Sequence, residues 1–310
     1  MDWVEEAHGI MEISVIIPAY NREATICRAI RSVFQQTFQD FELIIVDDYS
    51  QDGTIEAINT CSDPRIKIIR HHQNLGASAA RNTAIKSSSG RYLAFLDSDD
   101  EWLPEKLSRQ MGSIRSGQEG IIANVTGFYL FDEYNIKRKE MLSQPASWYK
   151  YLLMGLGVNP SNWVVSRKAF EHIGYFDPSL ARYEDWDWLL RFTKRYPLTI
   201  TQEALTVVYR GPQPRAVVAE TATKRFLDKH FQEFRQFGSY GKRALGKRYF
   251  EVAIYYYLEG NRIAGWNWFR KAISQSLFLR PGMYLRMLDA LMGTSIVPAL
   301  IRSRALVQNR

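Results

Sequence analysis

The chain has 310 residues, 46% of them apolar and only two of them cysteine, which allows a large core plus an appendage and excludes a disulfide-stapled miniprotein or a zinc ribbon. No apolar run approaches the roughly eighteen residues that cross a bilayer, and no basic-then-apolar leader opens the sequence, so the reading is cytoplasmic with free thiols at Cys27 and Cys61. The net charge of +7 is uneven: residues 211–310 hold 17 Lys/Arg against 6 Asp/Glu, a surplus of +11, and residues 1–210 sum to −4.

Residues 1–12 are polar and acidic and read as an N-terminal extension. Ile13 to Ile17 is a short β-branched strand that Pro18 ends, and Glu23–Gln36 carries a helical apolar stripe. Phe41–Val46 is a second strand, Thr54–Thr60 a short helix, Arg65–Arg70 a third strand, Ala77–Lys86 a helix and Tyr92–Leu96 a fourth strand. That alternation, with crossovers of helical length, predicts a parallel, right-handed wound sheet. A helix over Pro104–Ile114 follows, then strands at Ile121–Leu130, Trp163–Val165 and Leu205–Tyr209, with a helix over Asp185–Tyr196. Gly211-Pro212-Gln213-Pro214 marks a boundary. Beyond it Ala253–Leu258, Ala264–Ser274 and Tyr284–Leu291 are helical in pattern.

The sharpest local feature is Leu93-Ala94-Phe95-Leu96 breaking into Asp97-Ser98-Asp99-Asp100. Continuous apolar runs suit buried parallel strands, and ligands of open α/β sheets sit at the carboxyl ends of the strands. Carboxylates crowded there are most cheaply ionised beside a hard divalent cation that also holds phosphates. The competing reading is a solvated acidic turn capping the next helix. Three further strand ends are polar: Pro18-Ala19-Tyr20-Asn21, Asp47-Asp48-Tyr49-Ser50, and Asn74-Leu75-Gly76 leading to Arg81-Asn82. In one parallel sheet all four converge on one edge. Near them His71-His72 reads as a solvent-exposed pair. Trp102 and Trp188 read as core, while Trp163 and Trp186 suit either core or a sugar face.

These pieces, in this order and with Ser32-Val33-Phe34-Gln35-Gln36-Thr37 and Tyr183-Glu184-Asp185-Trp186-Asp187, resemble family 2 glycosyltransferases of the GT-A fold over residues 13–210. The resemblance implies an α/β fold, Rossmann-like, with a mostly parallel central sheet over 13–212 and a basic helical appendage over 213–310. It implies an inverting transfer from a nucleotide-diphosphate sugar, most often UDP with GDP and dTDP open, to a hydroxyl of a saccharide or lipid-linked saccharide in cell-surface glycan synthesis. By resemblance Pro18, Tyr20, Asn21 and Asp48 border the base, Arg81 the diphosphate or ribose, and Asp97 and Ser98 the ribose. Asp99, with Asp97, holds Mn²⁺ or Mg²⁺, and Asp185 is the general base. Glu184 and Asp187 also suit a helix first turn.

One departure stands out. Family members carry a histidine after the strand that ends here at Tyr209-Arg210, and this chain has none there. Arg210, Arg215 or water takes its place. A dehydrogenase is excluded because Gly155-Leu156-Gly157 lacks the third glycine and does not follow the first strand, and a P-loop kinase because no Gly-Lys-Ser/Thr occurs. A nucleotidyltransferase would want a glycine-rich basic loop after the first strand, and a non-catalytic scaffold would not need all three of Asp97, Asp99 and Asp185. The basic tail, with Leu285, Met287, Leu288, Leu291 and Met292 among Arg286, Arg302 and Arg304, suits an amphipathic face on an anionic membrane, a structural cap or a dimer interface. Peripheral contact with the inner face of the membrane is therefore open, and nucleic acid is not favoured because no recognition motif accompanies the charge.

Overall fold

A computed structural model describes residues 11–117, 120–131, 137–154, 158–211 and 213–276. Residues 1–10, the Gly155–Gly157 segment, Pro212 and the helix expected at Tyr284–Leu291 lie outside the described residues.

The first half follows the expected alternation. Strand β1 (Ile13–Ala19), α1 (Ile26–Phe34), β2 (Phe41–Asp47), α2 (Thr54–Asn59), β3 (Ile66–Arg70), α3 (Ala77–Ser87) and β4 (Tyr92–Phe95) succeed one another. All four strands are parallel, in the order β3-β2-β1-β4. Pro18 does not end β1, as the sequence suggested: the strand pairs with β2 through Ala19. Ile16 accepts the Leu96 amide through its carbonyl, so the nitrogen of Pro18, two residues on, faces the same edge. That edge has already lost its partner, because β4 pairs with β1 only as far as Ile16. The missing N–H therefore costs no ladder bond.

The sheet then changes character. After β5 (Glu101–Trp102) and α4 (Lys106–Arg115) come β6 (Ala123–Phe131), β7 (Lys137–Glu140), α5 (Trp148–Leu153), a 3-10 turn at Pro160–Asn162, β8 (Trp163–Ser166) and α6 (Arg167–Ile173). Next are α7 (Glu184–Thr193) and β9 (Leu198–Tyr209). The sheet continues β4-β8-β6-β9-β5, with β7 against β6. β8 runs antiparallel to both its neighbours, β6 and β9 are parallel, and β5 is antiparallel to β9. The central sheet is thus parallel in its first half and mixed in its second.

Side-chain alternation splits the core into two layers. Ile13, Val15 and Ile17 face α1 and α4 with Ile30, Val33, Leu107 and Met111. Ile16, Ile44 and Phe95 face the other way, onto Ala80, Phe170, Trp188 and Phe192. Helix α8 (Ala216–Gln236) adds Ala222, Phe226, Leu227 and Phe234 to that second layer. Helices α9 (Gly238–Leu258) and α10 (Arg262–Gln275) close a small core of their own around Phe250, Tyr257, Trp268 and Phe269.

Candidate active site

The strand ends meet as the sequence implied, and their side chains are tied to one another. Asn21 donates its backbone N–H to Ser50 Oγ at 2.9 Å and accepts from the Gln51 N–H through Oδ1 at 2.9 Å, latching the β1 loop to the β2 loop. Pro18 is buried within the strand, while Tyr20 and Tyr49 stand out, each 42% exposed. Asp48 is buried and accepts three bonds: from the backbone N–H of Leu75 (2.9 Å), from that of Gly76 (2.7 Å) and from His71 Nδ1 (2.7 Å). Gly76 sits at φ +88°, a conformation that favours glycine, and this turns its N–H onto Asp48 at the start of α3. His71 is therefore not the exposed strand-end residue expected. A carboxylate only accepts, so Nδ1 carries the proton, and Nε2 takes the Thr83 hydroxyl at 2.9 Å. His72 is exposed.

The acidic turn divides its labour. Asp100 points inward, accepting from Ser161 Oγ at 2.5 Å and from the Tyr209 amide at 3.0 Å, so it fastens β9 to the turn. Burial, then the charges of Asp97 and Asp99, raise its proton affinity well above an ordinary aspartate. Ser98 is also buried. Asp97 and Asp99 remain partly exposed, at 30% and 29% of their side chains. Asp99 lies 3.5 Å from Arg22 Nη2, and Arg28 donates to its backbone carbonyl. Its pKa is raised, by burial first and then by the charge of Asp97.

Arg81 joins this turn to α7. Its buried guanidinium gives Nη2 to Asp97 at 2.6 Å and Nη1 to Glu184 at 2.8 Å. Burial opposes the charge of Arg81, but the two carboxylates outweigh it and hold the group protonated. The acids at the start of α7 then separate by their partners. Glu184 belongs to Arg81. Asp187 is fully buried and meets Arg191 Nη2 (3.0 Å), Lys229 Nζ (2.9 Å) and His230 Nε2 (2.9 Å). Burial raises its pKa, yet the His230 bond and the Arg191 and Lys229 charges overcome this and hold it at about 2. Among the described residues Asp185 forms no ion pair, and its Oδ1 accepts the Trp186 amide at 2.8 Å. Burial, then the charge of Glu184, pushes its pKa up to about 7. A carboxylate of that affinity is half ionised at neutral pH and suits proton transfer.

Residues 14–174 match the Glycosyl transferase family 2 model. The chain belongs to glycosyl transferase family 2. Among its relatives, the Escherichia coli UDP-Glc:alpha-D-GlcNAc-diphosphoundecaprenol beta-1,3-glucosyltransferase WfgD is 34% identical over 177 residues, 57% of this chain and 68% of the relative. A second E. coli protein with the same description, WfaP, is 34% identical over 163 residues, 53% of this chain and 64% of the relative. The matched stretch thus spans about two thirds of those relatives. The fold resembles S. aureus TarS in complex with UDP, with a TM-score of 0.54 at 20% identity, over 86% of this chain and 89% of that one. It also resembles the mannosyltransferase PcManGT from Pyrobaculum calidifontis in complex with GDP-Man and Mn2+, with a TM-score of 0.57 at 15% identity, over 96% and 81% of the two chains. Membership of the family makes this chain an enzyme of glycosyl transfer with the GT-A architecture.

Several residues of this family 2 site escaped the sequence reading. Arg22 and Arg28 are the arginines beside Asp99, whereas Arg210 and Arg215 are both exposed. Arg28 also stacks 3.8 Å from the centroid of Tyr209. No motif marked either arginine, and only their placement one loop and one turn after β1 could have suggested them. Glu184 and His230 were missed as partners because their contacts span 103 and 43 residues. Trp102, Trp163 and Trp188 are core. Trp186 is half-buried, stacked on Tyr183 and under Arg248. Among the described residues three non-glycine residues have positive φ, Asn21 (51°), Tyr49 (69°) and Tyr183 (68°), and all three lie in these loops, where backbone strain gathers at functional sites.

Among the described residues no group of three or more His, Cys, Asp or Glu side chains is arranged to hold a metal ion by itself. Asp97 and Asp99 offer an oxygen-only donor pair, both partly exposed, and the charge of Asp97 is felt at Asp99, whose pKa burial and then that charge raise. Such a pair fits a hard divalent ion whose remaining ligands are phosphate oxygens and water.

Proposed function

We propose that this enzyme transfers a sugar, with inversion, from a UDP-sugar to a hydroxyl of a lipid-linked saccharide during surface-polysaccharide synthesis. The observation that carries the reading is Asp185. Of three acids at the start of α7, it alone is not committed to a cation, and its pKa of about 7 suits a base. UDP is favoured as the nucleotide because TarS binds UDP in a similar fold and two relatives are described as using UDP-Glc. The same relatives, described as acting on GlcNAc-diphosphoundecaprenol, favour a lipid-linked acceptor.

In this reading Tyr20 and Tyr49, exposed at the ends of β1 and β2, flank the base. Asp48 acts through the turn it holds at Leu75 and Gly76. Asp97 and Asp99 hold Mn²⁺ or Mg²⁺, which when bound neutralises negative charge on the leaving diphosphate as a Lewis acid. Arg22 and Arg28 add positive charge at the same turn. Arg81 fixes Asp97 and Glu184, so the donor end of the site and the base-bearing helix keep a set spacing. Asp185 takes the acceptor's proton while the oxygen attacks from the face opposite the leaving group.

No helix among the described residues is long and apolar enough to cross a membrane. Peripheral contact is the reading we favour for the C-terminal region. Leu258, Ile263 and Trp266 are exposed about the α9–α10 corner, Ile263 at 80%, and Arg262 and Arg270 of α10 are exposed too. Exposed apolar side chains on a basic helix suit an anionic bilayer.

A thermal-shift panel of UDP, GDP and dTDP, each with and without Mn²⁺, tests the donor reading, because a ligand that binds only the folded state raises its melting temperature. The expected result is a UDP shift that grows with Mn²⁺. A larger shift with GDP, or none with any nucleotide, refutes it.

A further inference from the structure

A second group of cations lies beside the base-bearing turn and has no part in the steps above. Arg248 of α9 is fully buried, its guanidinium 4.0 Å from the Trp186 ring centroid and 5.4 Å from that of Tyr183. Nη1 donates to Glu251 at 2.9 Å, but Nε and Nη2 have no hydrogen-bond partner among the described residues. Arg182 repeats the pattern: it lies 5.8 Å from the Tyr183 ring, and its buried Nε is also without a partner among the described residues. Arg210, exposed at the end of β9, stands near enough to act with Arg182 on the Tyr255 hydroxyl, whose pKa burial raises and these two charges lower. Lys247 lies 3.8 Å from Glu251. Among the described residues Glu251 is the one carboxylate that forms an ion pair with Arg248, Arg182 or Arg210.

Buried guanidinium N–H groups without acceptors are costly, because they lose water and gain nothing in exchange. Arginine's planar fork matches phosphate oxygens better than any other side chain. The place is also specific. Glu184 reaches toward Arg81 and Asp97, on the donor side. Trp186 lies under Arg248, and Asp185 is the residue between them. Arg248 packs on Trp186 and Arg182 on Tyr183, so both arginines border the turn that carries Asp185.

We propose that Arg248 and Arg182, walled by Tyr183, Trp186 and Tyr255, form a subsite for a phosphate or diphosphate group carried by the acceptor. The proposal rests on the reading of Asp185 as the group that receives the acceptor's proton. Arg210 marks the solvent side from which that group enters.

The test is calorimetric titration of the full chain, with its donor site filled by UDP, using GlcNAc 1-phosphate, methyl β-GlcNAc and inorganic phosphate as probes. The same titrations without UDP read the subsite independently of the donor site. GlcNAc 1-phosphate is expected to bind at least tenfold more tightly than the methyl glycoside. Arg248→Met and Arg182→Met are each expected to weaken it about tenfold or more, the usual scale for a charged hydrogen bond, with UDP affinity within twofold of wild type. Arg248→Lys, which keeps the charge and loses the fork, should fall between. Inorganic phosphate binding as tightly as the sugar phosphate shows a plain anion site and overturns an acceptor role. Equal binding of the methyl glycoside, or sugar-phosphate affinity unchanged in both Met variants, also overturns the proposal. Arg182→Met, on the more open flank, keeps the question decidable if Arg248→Met fails to fold. Failure of the wild type to bind UDP counts against the donor reading instead.

Discussion

Replacing Asp185 by asparagine should spare the fold and the donor site and remove turnover. An ordinary aspartate at 3.8 and Asp185 at about 7 differ by about 4 kcal/mol in the cost of ionising, at roughly 1.4 kcal/mol per pH unit. The folded-state pKa is raised, so the folded protein holds a proton that the unfolded chain releases. The penalty is absent below the unfolded value of 3.8, builds as pH rises from 3.8 to about 7, and is complete above that. Asp185→Asn should therefore melt higher than wild type at pH 8, by an amount bounded by that figure, and match it near pH 4. The amide oxygen still accepts the Trp186 N–H, so local geometry is kept. It cannot take a proton at neutral pH, and the expected loss is roughly two to four orders of magnitude in rate. In the wild type the ionised share is about one tenth at pH 6, one half at pH 7 and nine tenths at pH 8, so kcat/KM should fall about tenfold from pH 8 to pH 6. Release of UDP from UDP-glucose in the presence of a GlcNAc-diphosphate lipid measures both. A variant that keeps a tenth of wild-type activity, or a flat wild-type profile over that range, would refute the assignment.

Asp99→Ala should leave the melting temperature within a few degrees of wild type and abolish the added UDP shift caused by Mn²⁺; an unchanged metal effect removes Asp99 from the donor site. Arg81→Met strands Asp97 and Glu184 without their shared cation, and breaking such a buried pairing costs about 3–5 kcal/mol, read as a lowered urea midpoint together with weakened UDP affinity. Asp187→Asn should be destabilising on the same scale while kcat, measured on the folded fraction, stays within a few fold. Because the pKa of Asp187 is depressed to about 2, its contribution is full above about 4 and disappears as pH falls toward 2. A chain ending at Arg215 should aggregate rather than fold, since it exposes the surface under Phe226, Leu227 and Phe234 and leaves Asp187 without Lys229 and His230; a soluble truncated protein with wild-type UDP binding would contradict this.

The legible half of the fold is the half in which burial repeats simply. β1, β2 and β4 are buried on both faces and read as unbroken apolar runs, and each ends in polar residues that the sheet gathers at one edge. In the second half the sequence marks β6, β8 and β9 as strands but not how they pair. β5 is two residues long, β8 is four, and β8 is inserted antiparallel between β4 and β6, a placement set by partners far away in the chain. At the site, motif spacing marked Asp97, Asp99, Arg81 and Asp185 but not what each would touch. His71 looked solvated because a strand end usually is, and it turned inward because Asp48 offered a buried acceptor. Arg22 and Arg28 carried no pattern at all.

The acidic run at the start of α7 shows why contacts from distant elements, rather than sequence position, settle chemical roles here. Glu184, Asp185 and Asp187 are equivalent by composition and lie within one helical turn. Arg81, arriving from α3, claims the first; Lys229 and His230, arriving from α8, claim the third. Each claim commits a carboxylate to a cation, and what the two claims leave is a carboxylate that is desolvated, beside a like charge, and without an ion-pair partner among the described residues. Its raised proton affinity is therefore a consequence of how α3 and α8 dock, and not a property of the motif. The family model spans residues 14–174, so Asp97 and Asp99 lie within it and Asp185 and α8 lie beyond it.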